Sequence, residues 1–319
     1  MKISLIIPIY NKEKWIDRLI DSIEIQSYTN YEVVFIDDGS NDNSKKIIIS
    51  RINNNPNIKL FSQSNQGPGK ARLNGFSKCS GDLIYFVDGD DFLPNENVFI
   101  DIIKIFSEYK PDVLLFDRTD LTNFGTSNIN FFHRSKKNIK SGKYNIEDFP
   151  NVYIPGGLGC KVFKKSILNN DMFIDFTNFE DSYTSYLYLD KCHTFYYLNK
   201  SLYIINSVNE NHSLTKNSSF FSPKYIGEKL YVLLELEKKV VNLSLKKSII
   251  SIFPLEIVNT TLFIFLHKLT KSDKSMLVKY IRTMKQICLN SKVKPNMFES
   301  RFGFIKKIIY YLIMLTYSM

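Results

Sequence analysis

The stretch ISLIIPIYNKEKWIDRLIDSIEIQSYTNYEVVFID, residues 3–37, contains the pattern that decides the fold class. It begins and ends with short runs rich in β-branched residues, which are typical of buried strands. Between these runs, apolar side chains recur at the spacing of one helix face: Trp15, Ile16, Leu19, Ile20 and Ile23. The stretch therefore predicts a strand, a crossover helix and a second strand parallel to the first.

The same alternation continues along the first 120 residues. Strand-like runs follow at 58–61, 82–88 and 112–116, and helical patterns begin near 41 and 68 and cover 95–109. Strands and helices that alternate in this way build a parallel sheet covered on both faces. We therefore predict an α/β fold with a doubly wound, mostly parallel sheet.

Beyond this region the chain changes character twice. Residues 121–150 are polar and rich in Asn, Ser and Lys, which predicts a long loop or hairpin. The following residues mix strands with one helix, and the pattern is helical from about 223 to the end. We predict three segments, with 1–120 and 121–215 as the two halves of the sheet domain and 216–319 as a C-terminal helical region.

The charge of the chain changes at the boundary between residues 215 and 216. Residues 1–215 hold 24 Lys and Arg against 26 Asp and Glu, whereas residues 216–319 hold 18 against 6. The net charge of +10 therefore resides in the helical region.

The four cysteines form no C-x-x-C pair and favour a reducing compartment. No small-residue cleavage site follows the N-terminal apolar run, so we expect no signal peptide.

Polar residues directly follow three of the predicted strands. They are Tyr10 and Asn11 after the first, Asp37 and Asp38 at the end of the second, and Asp88, Asp90 and Asp91 after the strand at 82–88. Ligands of open parallel sheets bind outside the carboxyl ends of the strands, so all three groups are expected at one rim. Each group alone also suits a turn or a helix N-cap, for which Asp, Asn and Gly are favoured.

The sequence YFVDGDDFL, residues 85–93, crowds three carboxylates into four positions. A hard divalent cation would offset their repulsion, since Mg²⁺ and Mn²⁺ prefer carboxylate oxygens and Mg²⁺ often shares them with substrate phosphates. Gly89 permits the tight backbone that such a turn needs. The twelve-residue spacing of a Ca²⁺ loop is absent. We therefore predict a site for Mn²⁺ or Mg²⁺.

Four motifs resemble, in order and spacing, those of the family 2 nucleotide-sugar glycosyltransferases, which have the GT-A fold. The motifs are SLIIPIYN (4–11), VVFIDDGSNDNS (33–44), NQGPGKARLNG (65–75) and YFVDGDDFLP (85–94). The resemblance covers about residues 1–215. It implies a GT-A fold and transfer of a sugar from a nucleoside diphosphate donor, with Mn²⁺ or Mg²⁺ on the diphosphate.

The resemblance also implies roles for individual positions on the donor side. Pro8 and Tyr10 would border the nucleobase, and Asp38 would hydrogen-bond the base with support from Asp37. The full set of predicted donor-binding residues is Pro8, Tyr10, Asn11, Asp37, Asp38, Gly67, Arg72, Asp88 and Gly89. Where the family usually reads A-R-N-x-G, this chain reads ARLNG, so Arg72 keeps its register while Asn74 receives no role.

The resemblance assigns the D-x-D pair of the family to Asp88 and Asp90. These two residues would contact the ribose and the metal, and Asp91 is a further predicted metal ligand. His212 follows the strand-like run at 195–205 in a polar loop, where some family members place a His on the metal or diphosphate. Either that role or a solvated loop histidine fits, and nearby Lys216 could bind phosphate.

Glu180 and Asp181 begin a predicted helix and are the candidates for acceptor-side chemistry. Direct displacement at an anomeric carbon needs a general base for the acceptor hydroxyl. The helix dipole alone would also favour two acids in a first turn, so position does not decide between these explanations. The resemblance implies the catalytic one, with Asp181 as base, Glu180 as a supporting or acceptor-binding residue, and inversion of the anomeric centre.

The basic C-terminal region contains two long apolar stretches. Residues 248–269 approach the length of a membrane span, but Pro254, Glu256 and Asn259 interrupt them and favour a buried helix. Residues 304–319 are too short to span and carry Lys306 and Lys307 beside an apolar run. This pattern suits either an interfacial helix on an anionic membrane or a helix packed on the catalytic domain.

Together these features predict a metal-dependent inverting glycosyltransferase of bacterial surface-glycan synthesis, acting on a glycan or lipid-linked acceptor with a nucleoside diphosphate donor, taken as UDP. We expect it in the cytoplasm, peripheral at the inner face of the plasma membrane, without nucleic acid as a partner. A nucleotidyltransferase is the alternative enzyme, but the first strand lacks a glycine- and lysine-rich phosphate loop. A basic nucleic-acid-binding protein is the alternative outside enzymes, but no nucleic-acid-binding signature is present.

Overall fold

In the computed structural model, the residues described are all except 53–54, 133–138, 149–156, 175–177, 209–221, 268 and 292–319. The chain divides into two compact units, Met1–Asn211 and His212–Met319. The first contains the whole β-sheet, and the described part of the second is helical. Each unit is treated by itself below.

The first half of the sheet is built from four parallel strands with helices between them. They are β1 (Ile3–Ile9), α1 (Ile16–Glu24), β2 (Tyr31–Asp37), α2 (Ser44–Ile52), β3 (Ile58–Ser62), α3 (Pro68–Lys78) and β4 (Leu83–Phe86). The strand order is β3-β2-β1-β4. Strand β1 pairs in parallel with β2 from Ile3–Tyr31 to Ile9–Asp37, so these two strands end at the same rim.

The second half of the sheet is mixed. It contains α4 (Val98–Tyr109), β5 (Val113–Thr122), β6 (Gly125–Ile129), β7 (Gly142–Asn145), β8 (Lys161–Lys164), α5 (Glu180–Lys191) and β9 (Thr194–Asn206). The order continues from β4 as β8-β5-β9-β7, and β6 forms a hairpin with β5. Strand β8 runs antiparallel to both of its neighbours, and β5 and β9 are parallel. Single turns of 3₁₀ helix lie at Ile146–Asp148, Lys165–Ile167 and Asn170–Met172.

The central strands are apolar on both faces because helices cover both faces of the sheet. Every residue of β2 is buried, and so is every residue of β1 except Pro8. Helix α3 approaches the sheet closely because it carries Gly75, where an added Cβ would lie 2.4 Å from a methyl carbon of Ile6. This close approach positions the residues of α3 that face the rim.

The second unit consists, in its described part, of three helices that pack against one another. They are α6 (Pro223–Lys239), α7 (Leu243–Leu266) and α8 (Lys271–Ser291). Within α7, residues Leu245–Ile264 are long and apolar enough to span a membrane, and 53% of that window is buried. The one acid of this stretch, Glu256, is paired with Lys229 at 2.7 Å. The predicted apolar helix at 304–319 lies outside the described residues.

The predicted fold class is confirmed: the sheet is mostly parallel, helices cover both faces, and the described part of the C-terminal region is helical. The predicted strand at 82–88 ends earlier, at Phe86, because the acidic residues that follow form a turn. The polar segment at 121–150 contains the predicted hairpin, formed by β5 and β6. The antiparallel direction of β8 carries no local sequence signal.

Candidate active site

The carboxyl ends of β1 and β2 carry a network that shapes the loop before α3. Asp38 is almost fully buried, and its carboxylate accepts hydrogen bonds from Gln63 Nε2 and from the backbone N–H groups of Gln66 and Gly67, all at 2.8 Å. Asp37 accepts a 3.0 Å bond from the Ser40 N–H. The positive φ of Gly67, 87°, suits glycine and starts α3 at the next residue. Asp38 therefore fixes the loop that leads into α3.

The residues after β1 lie on the same rim. Tyr10 is exposed, and Asn11 adopts a positive φ of 53°. The Asn11 side-chain oxygen accepts a 2.8 Å hydrogen bond from the Asn41 N–H, which ties this segment to the loop after β2. Asn74, which the motif comparison left without a role, donates to Gln63 and so supports the side chain that bonds Asp38.

The DGDD turn, residues 88–91, packs directly against the end of β1. An added Cβ at Gly89 would lie 2.5 Å from Ile9 Cδ1 and 3.2 Å from the Pro8 carbonyl oxygen. A larger residue at this position would require the Ile9 side chain to move and would crowd the Pro8 carbonyl. The acidic turn and the first predicted donor-binding segment are thereby brought together.

The three acids of the turn have different environments. Asp91 points inward: Oδ2 accepts a 2.6 Å hydrogen bond from the Tyr203 hydroxyl, and Oδ1 accepts one from the Asn206 N–H at 2.9 Å. The Tyr203 oxygen also accepts from the Asp88 N–H at 3.0 Å. Burial, reinforced by repulsion from Asp88 and Asp90, raises the pKa of Asp91 well above its usual value. Asp91 thus connects the turn to β9 through hydrogen bonds, and its role here is to stabilise the turn.

Asp90 and Asp88 each face a cation of the chain. Lys12 Nζ donates to Asp90 Oδ2, and Arg72 donates to Asp88 Oδ1 at 2.9 Å. Burial raises the pKa of Asp90, and Lys12 opposes that shift. Asp88 Oδ2 accepts no hydrogen bond from any described residue. Within the described part of the chain, no three His, Cys, Asp or Glu side chains form a group that could hold a metal ion.

Arg72 on α3 is the centre of a buried charge cluster. Its guanidinium lies 2.9 Å from Asp88 Oδ1, 3.2 Å from Glu180 Oε1 and 2.8 Å from Asp181 Oδ1. The Arg72 side chain is only 5% exposed. Burial alone would lower its pKa, but the three carboxylates outweigh burial and raise it. One cation therefore joins the D-x-D turn to the acids at the start of α5.

Two backbone features bring α5 close to α3. An added Cβ at Gly69 would lie 2.1 Å from the Ile174 carbonyl oxygen and 3.4 Å from Glu180 Cβ, so glycine is required there for the segments to meet. Phe179, immediately before α5, has a positive φ of 66°, which is uncommon for a bulky residue. This turn directs the first residues of α5 toward Arg72.

The two acids of α5 have raised pKa values. Burial and the charge of Asp181 raise the pKa of Glu180 to about 8, against the opposing effect of Arg72. Burial also raises the pKa of Asp181, which Arg72 opposes and Asp88 reinforces. A carboxylate that is held partly desolvated beside a fixed cation is suited to accept a proton near neutral pH.

Sequence reasoning missed Tyr203 and Lys161. Tyr203 bridges Asp88 and Asp91 from β9, and Lys161 is a fully buried lysine at the start of β8 whose ammonium donates to the Gly157 carbonyl oxygen. Tyr203 lies within the strand-like run at 195–205. The signal available for Lys161 was a charged residue inside the strand-like sequence CKVF. The other predictions, His212 and Lys216, lie outside the described residues.

Curated glycosyltransferases are similar to this chain over parts of their length. The chain is 45% identical over 97 residues to an uncharacterized glycosyltransferase of Haemophilus influenzae, which is 30% of this chain and 39% of that protein. It is 29% identical over 214 residues to the glycosyltransferase GlyA of Streptococcus pneumoniae, 63% of this chain and 30% of GlyA. It is 36% identical over 119 residues to the poly(ribitol-phosphate) beta-N-acetylglucosaminyltransferase TarS of Staphylococcus aureus, 36% of this chain and 20% of TarS. The chain thus spans less than half the length of these relatives.

Solved structures share the fold. The crystal structure of S. aureus TarS 1-349 in complex with UDP-GlcNAc matches 100% of this chain and 92% of that one, with a TM-score of 0.72 and 21% identity. The mannosyltransferase PcManGT from Pyrobaculum calidifontis, in complex with GDP-Man and Mn²⁺, matches 98% and 85% with a TM-score of 0.51 and 13% identity. These similarities establish the GT-A fold.

The family model of glycosyl transferase family 2 matches residues 4–170, which is more than half of the chain. This range contains all four quoted motifs, the DGDD turn and Arg72. The chain belongs to glycosyl transferase family 2.

Proposed function

We propose that this chain is a metal-dependent, inverting glycosyltransferase. It would move a sugar from a nucleoside diphosphate donor, with UDP as the nucleotide, to a hydroxyl of a glycan or lipid-linked acceptor in bacterial surface-polysaccharide synthesis. The observation that carries the proposal is the Arg72 cluster, because one buried guanidinium contacts a D-x-D acid and both acids of α5. This arrangement supports a single site in which Asp88 would serve the donor and the acids of α5 would serve the acceptor.

The donor side is supported by the rim network and by the relatives. The segment Pro8–Asn11, Asp37 and Asp38 lie at neighbouring strand ends, where open parallel sheets bind ligands. The structural neighbour TarS was crystallised with UDP-GlcNAc and with UDP, which favours a UDP-sugar donor here. Asp38 has one carboxylate oxygen that accepts two hydrogen bonds and one that accepts a single bond, so it retains capacity for a base N–H.

The donor set of the DGDD turn fits Mn²⁺ or Mg²⁺. Asp88 and Asp90 would hold the ion, and both offer the hard oxygen ligands that these cations prefer. Two carboxylates without a third protein ligand suit an ion that completes its coordination with substrate phosphates and water. When bound, the ion would supply positive charge to the departing diphosphate. Asp91, already bonded to Tyr203 and Asn206, would support the turn.

The acceptor side would use Asp181 as general base. The acceptor oxygen attacks the anomeric carbon as its proton passes to Asp181, and the bond between that carbon and the diphosphate oxygen breaks. Attack from the face opposite the diphosphate inverts the anomeric centre. Arg72 favours the ionised form of Asp181, which a base requires. Glu180, with a pKa raised to about 8, is mostly protonated at pH 7 and could donate a hydrogen bond to the acceptor.

The second unit would bring the enzyme to its acceptor. Its basic residues and apolar helices suit peripheral contact with the anionic inner face of the plasma membrane, where a lipid-linked acceptor would lie. Binding to vesicles of anionic lipid at low salt tests this part of the proposal. Equal binding to neutral and anionic vesicles would contradict it.

The function is tested by a screen of nucleotide sugars for thermal stabilisation and hydrolysis, with and without Mn²⁺. We expect stabilisation by UDP-sugars only when Mn²⁺ is present, and its loss in Asp90→Ala. The matched control is Asp101→Ala, since Asp101 is a helix acid paired with Lys200 and is not one of the rim residues. Equal stabilisation with and without metal, or unchanged binding in Asp90→Ala, would reject metal-dependent donor binding.

A further inference from the structure

A small cavity lies beside the DGDD turn. Its volume is about 90 Å³, and its walls come from that turn, from β5, β6 and β9, and from the segment just before β8. A water molecule in the liquid occupies about 30 Å³, so the cavity holds a substituent of about three or four heavy atoms rather than a whole sugar ring. We call this cavity the Arg118 pocket and define it by Asp88, Phe116, Arg118, Ile129, Leu158 and Tyr203.

Strand pairing places Arg118 in the wall of the pocket. Arg118 is the register partner of Tyr203 on β9 and of Ile129 on β6. Paired residues of neighbouring strands put their side chains on the same face of a sheet. Between Phe116 and Arg118 the register partner on β9 jumps from Leu198 to Tyr203. Irregularities of this kind re-aim side chains and are common next to active sites, which favours a ligand-binding use of Arg118.

The Arg118 guanidinium is held in place by one acid and keeps hydrogen-bond donors for a ligand. Asp120, two residues further along β5, accepts from Nε at 2.7 Å and from Nη2 at 3.3 Å. Arginine has five N–H groups, so this ion pair uses one edge of the guanidinium and leaves the N–H groups of Nη1. The Cys160 thiol, which also lines the pocket, is only a weak acceptor. Arg118 is therefore preorganised to donate to an oxygen of a ligand.

The charges around the pocket favour a neutral ligand group over an anion. Asp120 offsets the charge of Arg118, and Asp88 and Asp91 add two further acids to the wall. A carboxylate or phosphate in the pocket would be repelled by these acids. The group that Arg118 binds is therefore expected to be an uncharged oxygen acceptor.

Five apolar side chains also line the pocket: Phe116, Ile129, Phe131, Leu158 and Ile205. Apolar walls with a few convergent polar groups are typical of small-molecule sites. A hydroxyl group would satisfy the guanidinium but would leave these walls without an apolar partner. An acetamido group has a carbonyl oxygen for the guanidinium, a methyl group for the apolar wall and four heavy atoms in all, which suits the volume.

We propose that the Arg118 pocket receives the acetamido group of an N-acetylhexosamine, which is the sugar that the nucleotide donor carries. Arg118 donates to the acetamido carbonyl oxygen, and the methyl group contacts the apolar wall. The donor sugar is the source of this group because Asp88, an acid of the D-x-D turn, also lines the pocket. This inference rests on the proposed function, since it names the class of sugar that the same site transfers. Arg118 is then a specificity-determining residue.

The test measures Kd values with the full chain and Mn²⁺ by calorimetry. The ligands are UDP, UDP-glucuronate, and two matched pairs: UDP-GlcNAc with UDP-glucose, and UDP-GalNAc with UDP-galactose. In one pair we expect the N-acetylated donor to bind at least about tenfold more tightly than its parent, because the parent leaves the pocket donors unpaired. Arg118→Met should reduce this preference to about threefold or less and leave the Kd of UDP within about twofold. The matched control is Arg51→Met, which removes an arginine of α2 paired with acids of α1 and should keep the wild-type preference.

A second variant fills the pocket without removing a charge. Ile129→Trp enlarges a partly exposed side chain of the wall on β6. It should weaken binding of the preferred N-acetylated donor at least about fivefold and change that of the parent hexose donor less. Thermal unfolding without ligand shows whether each variant is folded.

Three results would overturn the inference and leave the proposed function in place, provided that UDP still binds. They are equal affinity for the N-acetylated donor and its parent in the wild type, an unchanged preference in both Arg118→Met and Ile129→Trp, and tightest binding of UDP-glucuronate. A wild-type protein that binds neither UDP nor any UDP-sugar with Mn²⁺ would instead reject the proposed donor, and the inference with it.

Discussion

Replacing Arg72 with Met removes a cation that contacts Asp88, Glu180 and Asp181. Breaking a buried ion pair by removal of one partner costs about 3–5 kcal/mol, because the remaining charge stays desolvated. Asp88 is 44% exposed, so water screens part of its charge and the lower end of that range applies. We expect the free energy of unfolding of the first unit to fall by about 3 kcal/mol near pH 8.5.

The expected loss depends on pH because the acids need the cation only when they are ionised. Glu180, with a pKa of about 8, is protonated near pH 5, and the pKa of Asp181 is raised as well. The difference between Arg72→Met and wild type should therefore shrink as the pH is lowered to 5. About 3 kcal/mol corresponds to a decrease in Tm of roughly 6–12 °C for a unit of this size. Thermal unfolding of both proteins at the two pH values measures it.

Arg51 offers a matched control, because it also contacts three acids: Asp17, Asp21 and Glu24. Two of those acids are more than 60% exposed, so Arg51→Met should cost about 1 kcal/mol or less. Arg72→Lys keeps the charge but cannot span three carboxylates, and should be intermediate. A Tm of Arg72→Met equal to that of Arg51→Met, or an equal loss at both pH values, would refute the account of the cluster.

Three further predictions concern the same rim. Glu180→Gln should stabilise the protein near pH 9 but not near pH 4. The stability that Glu180 contributes is complete below its unfolded-state pKa and is lost as the pH rises through its folded-state pKa of about 8. Equal gains in the free energy of unfolding at both pH values, measured by chemical denaturation, would argue against a raised pKa. Gly69→Ala should cost about 1–3 kcal/mol, since its Cβ would overlap a backbone carbonyl oxygen. Gly142→Ala, with no atom nearer than 3.6 Å, is its control in thermal unfolding. Lys12→Met removes the cation on Asp90 and should tighten Mn²⁺ binding about fivefold by calorimetry; weaker binding would show that Lys12 does not compete with the metal.

The fold was predictable because its signals are local. Apolar runs and helical spacing over residues 3–37 specify two strands and a helix, and the rim follows from the rule that ligands bind at the carboxyl ends of parallel strands. Gly67 was also accessible, as a residue before a proline at the start of a helix. These inferences need no knowledge of distant contacts.

The different environments of the acids in the DGDD turn were not predictable, because residues on distant strands determine them. The sequence predicts Asp91 as a further metal ligand beside Asp88 and Asp90, whereas Tyr203, 112 residues further along the chain, donates a hydrogen bond to Asp91 in the interior. Lys161 is buried between neighbouring strands only because β8 is inserted antiparallel between β4 and β5. The sequence signal for such a buried position is a charged residue within an apolar run, as Lys161 is in CKVF.

The central claim is that Asp181 is the base of a sugar transfer whose donor is held elsewhere in the same site. Asp181→Asn tests it most directly, because the amide keeps the size and shape of the carboxylate but cannot take up a proton. The account predicts a donor Kd within about twofold of wild type and a transfer rate lower by at least about a hundredfold. A transfer rate equal to that of the wild type, with donor binding intact, would contradict it.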